Sequence, residues 1–406
     1  MVALGFGAVL LIAVLLGAMK YYKSTGTVKL DSMAVLPFVN RSGNPEEEYL
    51  CDGITEGLIH KLSQLPDMRV LSRSTVFRYK GLSDDPVNLG KNLNVGAVLV
   101  GSLVRHGGSV HLESELVDTQ NGAEIWGTQY DRKLSDVAGL QEEIVQDVSE
   151  KLKLRLSPAQ KQTLVRSKPE NWEAYSLYLK GRYSWNKFTN DGMKKAIDYF
   201  QQAIDIDPTY AQAYAGPADA YHELSYYVPP HDVMPKSKAA SSRALQLDDS
   251  LGEAHSALGW VKWSYDWDFR GAEQEFRRAI ELDPNSNNAH GMYALFLDSM
   301  GRAKEAAAEH QRAITIDPLS LIDKTNVADG YYVARQFEKA IEQYRKTLEL
   351  DSNFSVASFG LGHAYAQLGM WREAVEAWQK RHAPVATPAL WNSWQRRTAK
   401  EAMSAP

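Results

Sequence analysis

Hydrophobic and polar positions obey three different rules along this chain of 406 residues. Residues 1–19 do not alternate at all: Leu, Val, Ile, Ala and Gly dominate and no charged side chain appears. A run of about 18 or more such residues is long enough to cross a bilayer as a helix. Lys20 and Lys23, with Tyr21 and Tyr22 between them, follow it at interface depth. Residues 32–156 change pattern every few positions. Met33-Ala34-Val35-Leu36-Pro37-Phe38 is a compact apolar run that predicts a buried strand. Leu50, Ile54, Leu58, Ile59 and Leu62 predict an amphipathic helix over 46–65, with Glu46, Glu47 and Glu48 in its first turn, where the helix dipole favours them. A second strand is expected at 68–71, a short helix at 87–93 and a third strand at 97–104. Gly107-Gly108 and Asn121-Gly122 then mark hairpin turns. Val110, Leu112, Ser114 and Leu116 alternate with His111, Glu113 and Glu115, so one face of the strand between those turns is expected buried and the other wet. A helix over 135–156 closes an α/β domain.

Beyond 171 only helical spacing remains, and it repeats. Ile280-Glu281-Leu282-Asp283-Pro284, Ile314-Thr315-Ile316-Asp317-Pro318 and Leu348-Glu349-Leu350-Asp351-Ser352 end almost alike and lie 34 residues apart (318 − 284 and 352 − 318). A period of 34 with a helix ending in Asp-Pro is the signature of the tetratricopeptide repeat (TPR), a helix–turn–helix unit that stacks into a curved solenoid. Taking the Asp-Pro end as position 32 sets about six units over 171–381. Gly181, Ala196, Phe200 and Ala203 in the first, Ala272, Phe276 and Ala279 in the third, and Leu361, Gly362, Ala374 and Trp378 in the sixth fall where small residues let helices touch and aromatics fill the space between them. The second unit is the poorest. It ends in Asp248-Asp249, and Pro217 inside its first helix predicts a kink, since proline removes a backbone hydrogen bond at a cost of about 3 kcal/mol in a regular helix. Its Tyr226-Tyr227-Val228-Pro229-Pro230 insertion is expected to project as a loop. A short helix over 390–403 is expected to cap the last repeat.

The α/β part carries a resemblance as well. Ala34-Val35-Leu36-Pro37-Phe38, Asn40-Arg41-Ser42-Gly43-Asn44-Pro45, Asp52-Gly53-Ile54-Thr55-Glu56, Val95-Gly96-Ala97-Val98-Leu99-Val100-Gly101-Ser102 and Ile125-Trp126-Gly127 through Tyr130-Asp131-Arg132 are similar in order and spacing to the TolB-like amino-terminal domain. The resemblance implies a bacterial architecture in which that domain stands between a membrane helix and TPRs. There it serves as the sensory half of Ser/Thr kinases, CadC-type winged-helix regulators or nucleotide cyclases. The expected organisation is a transmembrane helix at 1–19, a linker at 20–31, the TolB-like domain at 32–156, a linker at 157–170, TPRs at 171–381 and a capping segment at 382–406. A cleaved signal peptide competes with the anchor, but Met-Val-Ala-Leu lacks a basic n-region and Leu16-Gly17-Ala18 is a poor cleavage site. The expected location is therefore a single-pass membrane protein with periplasmic soluble domains. The positive-inside rule read from Met1 puts the Lys20 side in the cytoplasm, whereas a domain upstream of Met1 would set the topology instead, so the orientation stays open.

Composition narrows the chemistry. A net charge of −5 gives no reason to expect nucleic acid, and the single cysteine, Cys51, forms no intrachain disulfide and reads as a small, half-buried hydrophobe. The histidines are scattered, no His-Glu-x-x-His, Cys-x-x-Cys or phosphate loop occurs, and neither metal nor cofactor is expected. Asp52 and Glu56 read as a solvated helix end rather than a catalytic pair. In the TPR family the first helix of each pair lines a groove through positions 2, 5, 9, 12 and 13. The resemblance thus implies a protein-binding groove built from Tyr175, Tyr178, Arg182, Trp185 and Asn186 in the first unit; Asp219, His222 and Glu223 in the second; Trp260 and Trp263 in the third; Asp298 in the fourth; Asp329 and Tyr332 in the fifth; and Phe359 and His363 in the sixth. Aromatic anchors are what interface hot spots are made of, and the acidic residues favour a basic or polar segment. Arg182 and Asn186 alone do not make the carboxylate clamp that some members use for a C-terminal tail. The expected function is a membrane-anchored, non-enzymatic scaffold that recognises a peptide or protein. The alternative is the sensory part of a signalling protein whose effector domain is not in this chain.

Overall fold

The computed structural model describes residues 30–65, 68–82, 85–152, 171–187, 189–225 and 228–380. The first part is built on a six-stranded mixed sheet. Strands β1 (Ser32–Val35), β2 (Val39–Asn40), β3 (Arg69–Val70), β4 (Ala97–His106), β5 (Ser109–Asp118) and β6 (Glu124–Lys133) lie in the order β3-β1-β4-β5-β6, with β2 extending the β1 side of β4. β1 runs parallel to β3 and β4, whereas β4, β5 and β6 form an antiparallel meander. Helices α1 (Glu48–Ser63), α2 (Arg73–Val76), α3 (Pro86–Asn92) and α4 (Val137–Lys151) connect and cover the strands. The central β1 is buried at every position, as its unbroken apolar run requires. β5 alternates as expected, with Val110, Leu112, Ser114 and Leu116 buried. Both hairpins turn on a left-handed glycine, Gly107 (φ 57°) and Gly122 (φ 73°), which costs glycine nothing and other residues about 1 kcal/mol or more.

Helix α1 departs from the expected one-sided pattern. Leu50, Ile54, Leu58 and Leu62 pack into the sheet's core, yet Asp52, Gly53, Thr55 and Ser63 are buried too. The reason is a second cover on the opposite side, supplied by the helical part of the chain.

That part consists of six antiparallel helix pairs: α5 (Trp172–Trp185) with α6 (Asn190–Ile206), α7 (Ala211–Leu224) with α8 (Pro230–Leu247), α9 (Gly252–Ser264) with α10 (Phe269–Leu282), α11 (Asn287–Ser299) with α12 (Ala303–Ile316), α13 (Leu321–Val333) with α14 (Phe337–Leu350), and α15 (Ser355–Gln367) with α16 (Trp371–Lys380). The repeated aspartate has a local job. Asp207, Asp248, Asp283, Asp317 and Asp351 each accept a hydrogen bond from the backbone N–H two residues on, at 2.9–3.2 Å, closing the turn into the next pair. The aspartate therefore suffices where the proline is missing, at Asp248-Asp249 and Asp351-Ser352. Between paired helices, a side chain at Gly181 would stand 2.5 Å from the Phe200 ring, so only glycine admits that ring. Helix α7 continues through Pro217 to Leu224. Of the expected loop, Pro230 already opens α8, a favourable first helical position for proline; Tyr226 and Tyr227 lie outside the described residues.

The expected fold class needs correction. It placed a transmembrane helix ahead of the two domains, but among the described residues no helix is long and apolar enough to cross a membrane. The fold described is two-part, a small α/β sheet domain followed by an all-α superhelix. Residues 1–19, which carried the anchor expectation, and 390–403, which carried the capping helix, lie outside the described residues.

Candidate protein-binding groove

The groove positions of the first pair are occupied from within the chain. α5 lies against α1, and Tyr175 and Leu179 belong to the hydrophobic core of the α/β domain, together with Ala203 and Ala213 from the next helices and Tyr210 in the turn between them. Gly53 makes this close approach possible: a side chain there would meet the Leu179 methyl at 2.6 Å. Tyr178 is wedged among Tyr175, Phe200 and Tyr210, with ring centroids 6.4, 5.8 and 5.3 Å away. The polar end of α5 then grips α1. Arg182 Nε donates to Glu56 Oε1 at 2.8 Å and Asn186 Nδ2 to Glu56 Oε2 at 2.9 Å, while Arg73 Nε lies 3.2 Å from Glu56 Oε2. Burial alone would raise the Glu56 pKa; the Arg182 and Arg73 guanidiniums and the hydrogen bonds from Arg182 and Asn186 outweigh it and hold it below the usual carboxylate range. Trp185 lies under Arg182, 5.1 Å from ring to guanidinium. Tyr175, Tyr178, Arg182 and Asn186 thus bind the chain's own α/β domain rather than an outside ligand.

The contact extends along the rim of the solenoid. Ser63 Oγ donates to Asp283 at 3.3 Å, and Asn285 Nδ2 donates to the backbone carbonyls of Ser63 (2.6 Å) and Met68 (3.3 Å). The hydroxyls of Ser74 and Thr75 donate to Asp317. Two aspartates that close repeat turns thereby also hold the neighbouring domain. Asp52 and Glu56, expected on a solvated helix end, are instead ion-paired, Asp52 buried and bonded to Lys80 at 2.5 Å, Glu56 half-buried between Arg182 and Arg73. Cys51 is fully buried, not half-buried, and burial followed by Glu48 pushes its thiol up to about 12.

Beyond this closed end lies an acidic and aromatic floor. α7 contributes Asp219, His222 and Glu223; α9 contributes Glu253, Trp260 and Trp263. The His222 and Trp260 rings are 4.3 Å apart, Trp260 and Trp263 meet edge-on at 4.9 Å, and Trp263 reaches Phe296 at 6.1 Å. Asp219 and Glu223 are half-buried. Burial, then the nearby Glu253, pushes Asp219 up to about 8; Arg182 pulls the other way but is already committed to Glu56 and to Glu253, 3.4 Å away. Burial pushes Glu223 up to about 7 and drives His222 down to about 3, so the imidazole, 3.9 Å from Glu223, is neutral.

The later repeats divide the expected residues. Asp298 accepts from His310 Nε2 at 2.8 Å and Asp329 from the Tyr344 hydroxyl, so both are tied inside the solenoid and act in its packing. Tyr332 lies 5.6 Å from Phe337, and its hydroxyl accepts from Gln367 at 3.4 Å. Phe359 and His363 meet edge-on at 4.4 Å, and His363 continues to Trp378 at 5.4 Å. Further residues at lining positions escaped the sequence reading, among them Glu253, Ile322, Val333 and Val356. The repeat register already put them there; aliphatic side chains and a lone glutamate were passed over in favour of aromatics. Among the described residues no group of His, Cys, Asp or Glu is arranged to hold a metal ion.

Comparison with known proteins agrees with this division. Residues 29–146 match the family described as HilA/YgeH-like transcriptional regulator, second domain, in place of the TolB-like family that the motifs suggested. Residues 268–320 and 328–389 match the tetratricopeptide repeat family. The chain is 29% identical over 240 residues to a protein named putative adenylate cyclase 3 from Rhizobium meliloti (strain 1021), covering 57% of this chain and 40% of that one. It is 25% identical over 197 residues to TPR repeat-containing protein MJ1428 from Methanocaldococcus jannaschii, covering 48% of this chain and 32% of that one. The chain therefore spans less than half the length of either relative. Among solved structures it is similar to YrrB, described as a TPR protein with an unusual peptide-binding site, at 19% identity and a TM-score of 0.29 over 49% of this chain and 97% of that one. The helix pairs from α10 onward are tetratricopeptide repeats, and the α/β domain packed on the first pair is similar to the second domain of HilA/YgeH-like transcriptional regulators.

Proposed function

We propose that the protein is a binding scaffold whose TPR groove holds a segment of another polypeptide, with the α/β domain closing the first-repeat end. The observation that carries this reading is the floor beside the closed end, where Asp219, Glu223 and Glu253 stand with Trp260 and Trp263; among the described residues Glu253 shares Arg182 with Glu56, and Glu223 has the neutral His222 3.9 Å away. The helices are preformed, so a ligand laid along them orders little of the protein. The test uses the full chain: Trp263→Ala with Tyr332→Ala is expected to lose the proteins that co-purify with the wild type while circular dichroism stays helical. Unchanged recovery would remove the groove from the function.

A second reading has support of its own. The match to a regulator domain at 29–146 and the likeness to a protein named as a cyclase both favour a regulatory module that acts on an effector domain. Sequencing the reading frame upstream of Met1 discriminates: an in-frame kinase, cyclase or winged-helix module supports it, and a stop codon there counts against it.

A further inference from the structure

We propose that the occupant of the groove is an amphipathic segment in two parts, a basic end seated over Asp219, Glu223 and Glu253 and an apolar end seated over Ile322, Val333 and Val356. This rests on the groove reading above and specifies the chemistry of its ligand.

Charge sets one end. Glu253 pairs with Arg182, which Glu56 already engages, and Asp219 feels the same guanidinium, while Glu223 stands 3.9 Å from His222. His222 beside them carries no charge. An incoming guanidinium or ammonium supplies the missing cation, and the indole faces of Trp260 and Trp263 favour the same ligand. Hydropathy sets the other end. Ile322, Val333 and Val356 are 44%, 50% and 44% exposed at positions of the repeat register that line the groove. A helix face meant for water would carry charge there. Asp298, on the intervening α11, is bonded to His310, so the middle of the groove matches a neutral stretch, and Asp329, on α13 between Ile322 and Val333, is held by the Tyr344 hydroxyl. The direction follows from the fold, because α1 closes the groove at the first repeat and the basic end lies next to that closure. Seating a cation would also drive protons off Asp219 and Glu223, which burial holds up to about 8 and 7.

Fluorescence anisotropy on the full chain tests this with labelled synthetic peptides of one length. One peptide carries arginines at one end and leucine and phenylalanine at the other. Further peptides have arginine changed to glutamine, the apolar residues changed to serine, or both. Each half is expected to contribute about tenfold in affinity. Asp219→Asn with Glu223→Gln, which keeps shape and removes charge, should abolish the arginine contribution alone. Ile322→Ser with Val356→Ser should abolish the apolar contribution alone. The proposal is overturned if the two-part peptide binds no better than the doubly changed one, or if either protein variant weakens all peptides alike. Because the peptide substitutions leave the protein intact, a variant that misfolds does not rescue the idea. Groove-dependent capture of cellular partners without any such peptide preference would leave the scaffold reading standing and remove this one.

Discussion

At the scale of single residues, Asp219 sits in the proposed groove at a cost to stability that depends on pH. In the unfolded chain its carboxyl ionises at its ordinary 3.8, but in the folded chain it keeps its proton to about 8. The unfolded state therefore binds fewer protons across that window, and folding stability contributed by this group falls as pH rises from about 4 to about 8. Asp219→Asn removes the dependence. The variant should match the wild type near pH 4 and exceed it near pH 8, by about 1–2 kcal/mol once partial solvation is discounted. Urea unfolding at the two pH values checks this, and parallel wild-type and variant profiles would show that solvent already reaches the carboxylate. Glu56 runs the opposite way. Its folded pKa lies below the ordinary 4.5, so its contribution is complete above that value and is lost as pH falls through the depressed one.

At the scale of elements, helix α1 decides how the two halves meet. Its core face was legible in the sequence, because Leu50, Ile54, Leu58 and Leu62 recur at helical spacing and that pattern is local. The meander strands and hairpin glycines were legible for the same reason, and the 34-residue period placed the repeat helices. The second face of α1 was not legible. Gly53, Thr55 and Glu56 read as ordinary helix positions until α5 is laid against them, and the Glu56–Arg182 pair joins residues 126 apart in sequence. A carboxylate at a helix start has the same local signature whether water or a guanidinium faces it. The groove list failed at that point too, since Tyr175, Tyr178, Arg182 and Asn186 sit at lining positions whose space another domain fills. Glu56→Ala puts the consequence to the test. It leaves the half-buried Arg182 and Arg73 without their shared anion, Arg182 keeping Glu253, a loss expected to cost about 1–2 kcal/mol once partial solvation is discounted. Chemical denaturation measures it. A change below about 0.5 kcal/mol would mean that water takes the place of the carboxylate and that the other α1–α5 contacts, Leu179 and Tyr175 and the Tyr49–Ser176 hydrogen bond, hold the helices together.

At the scale of the whole molecule, the boundary between domains falls somewhere other than the linker suggests. Ala174, Tyr175, Leu179, Ala203 and Ala213 from the first three repeat helices, with Tyr210 in the turn before the third, complete the hydrophobic core of the α/β domain. Energetically the first repeat belongs to both halves. A fragment starting at residue 171 keeps every repeat but strips that face of its cover, and exposed contiguous apolar surface drives association. Residues 171–380 alone should therefore self-associate or melt well below the full chain. The missing surface can be returned in trans. Co-expressed as separate chains, 30–152 and 171–380 should co-purify as one complex, with an affinity tighter than about 1 μM, since the interface joins an apolar core to polar contacts at Glu56, Asp283 and Asp317. The Asp317 contacts give the complex an internal control. Ser74→Ala with Thr75→Val should weaken reassembly while leaving each fragment's own helices and strands intact. If 171–380 instead stays monodisperse, melts with the full chain and ignores added 30–152, the two halves are independent. Arg182 and Asn186 would then be available to an outside ligand after all.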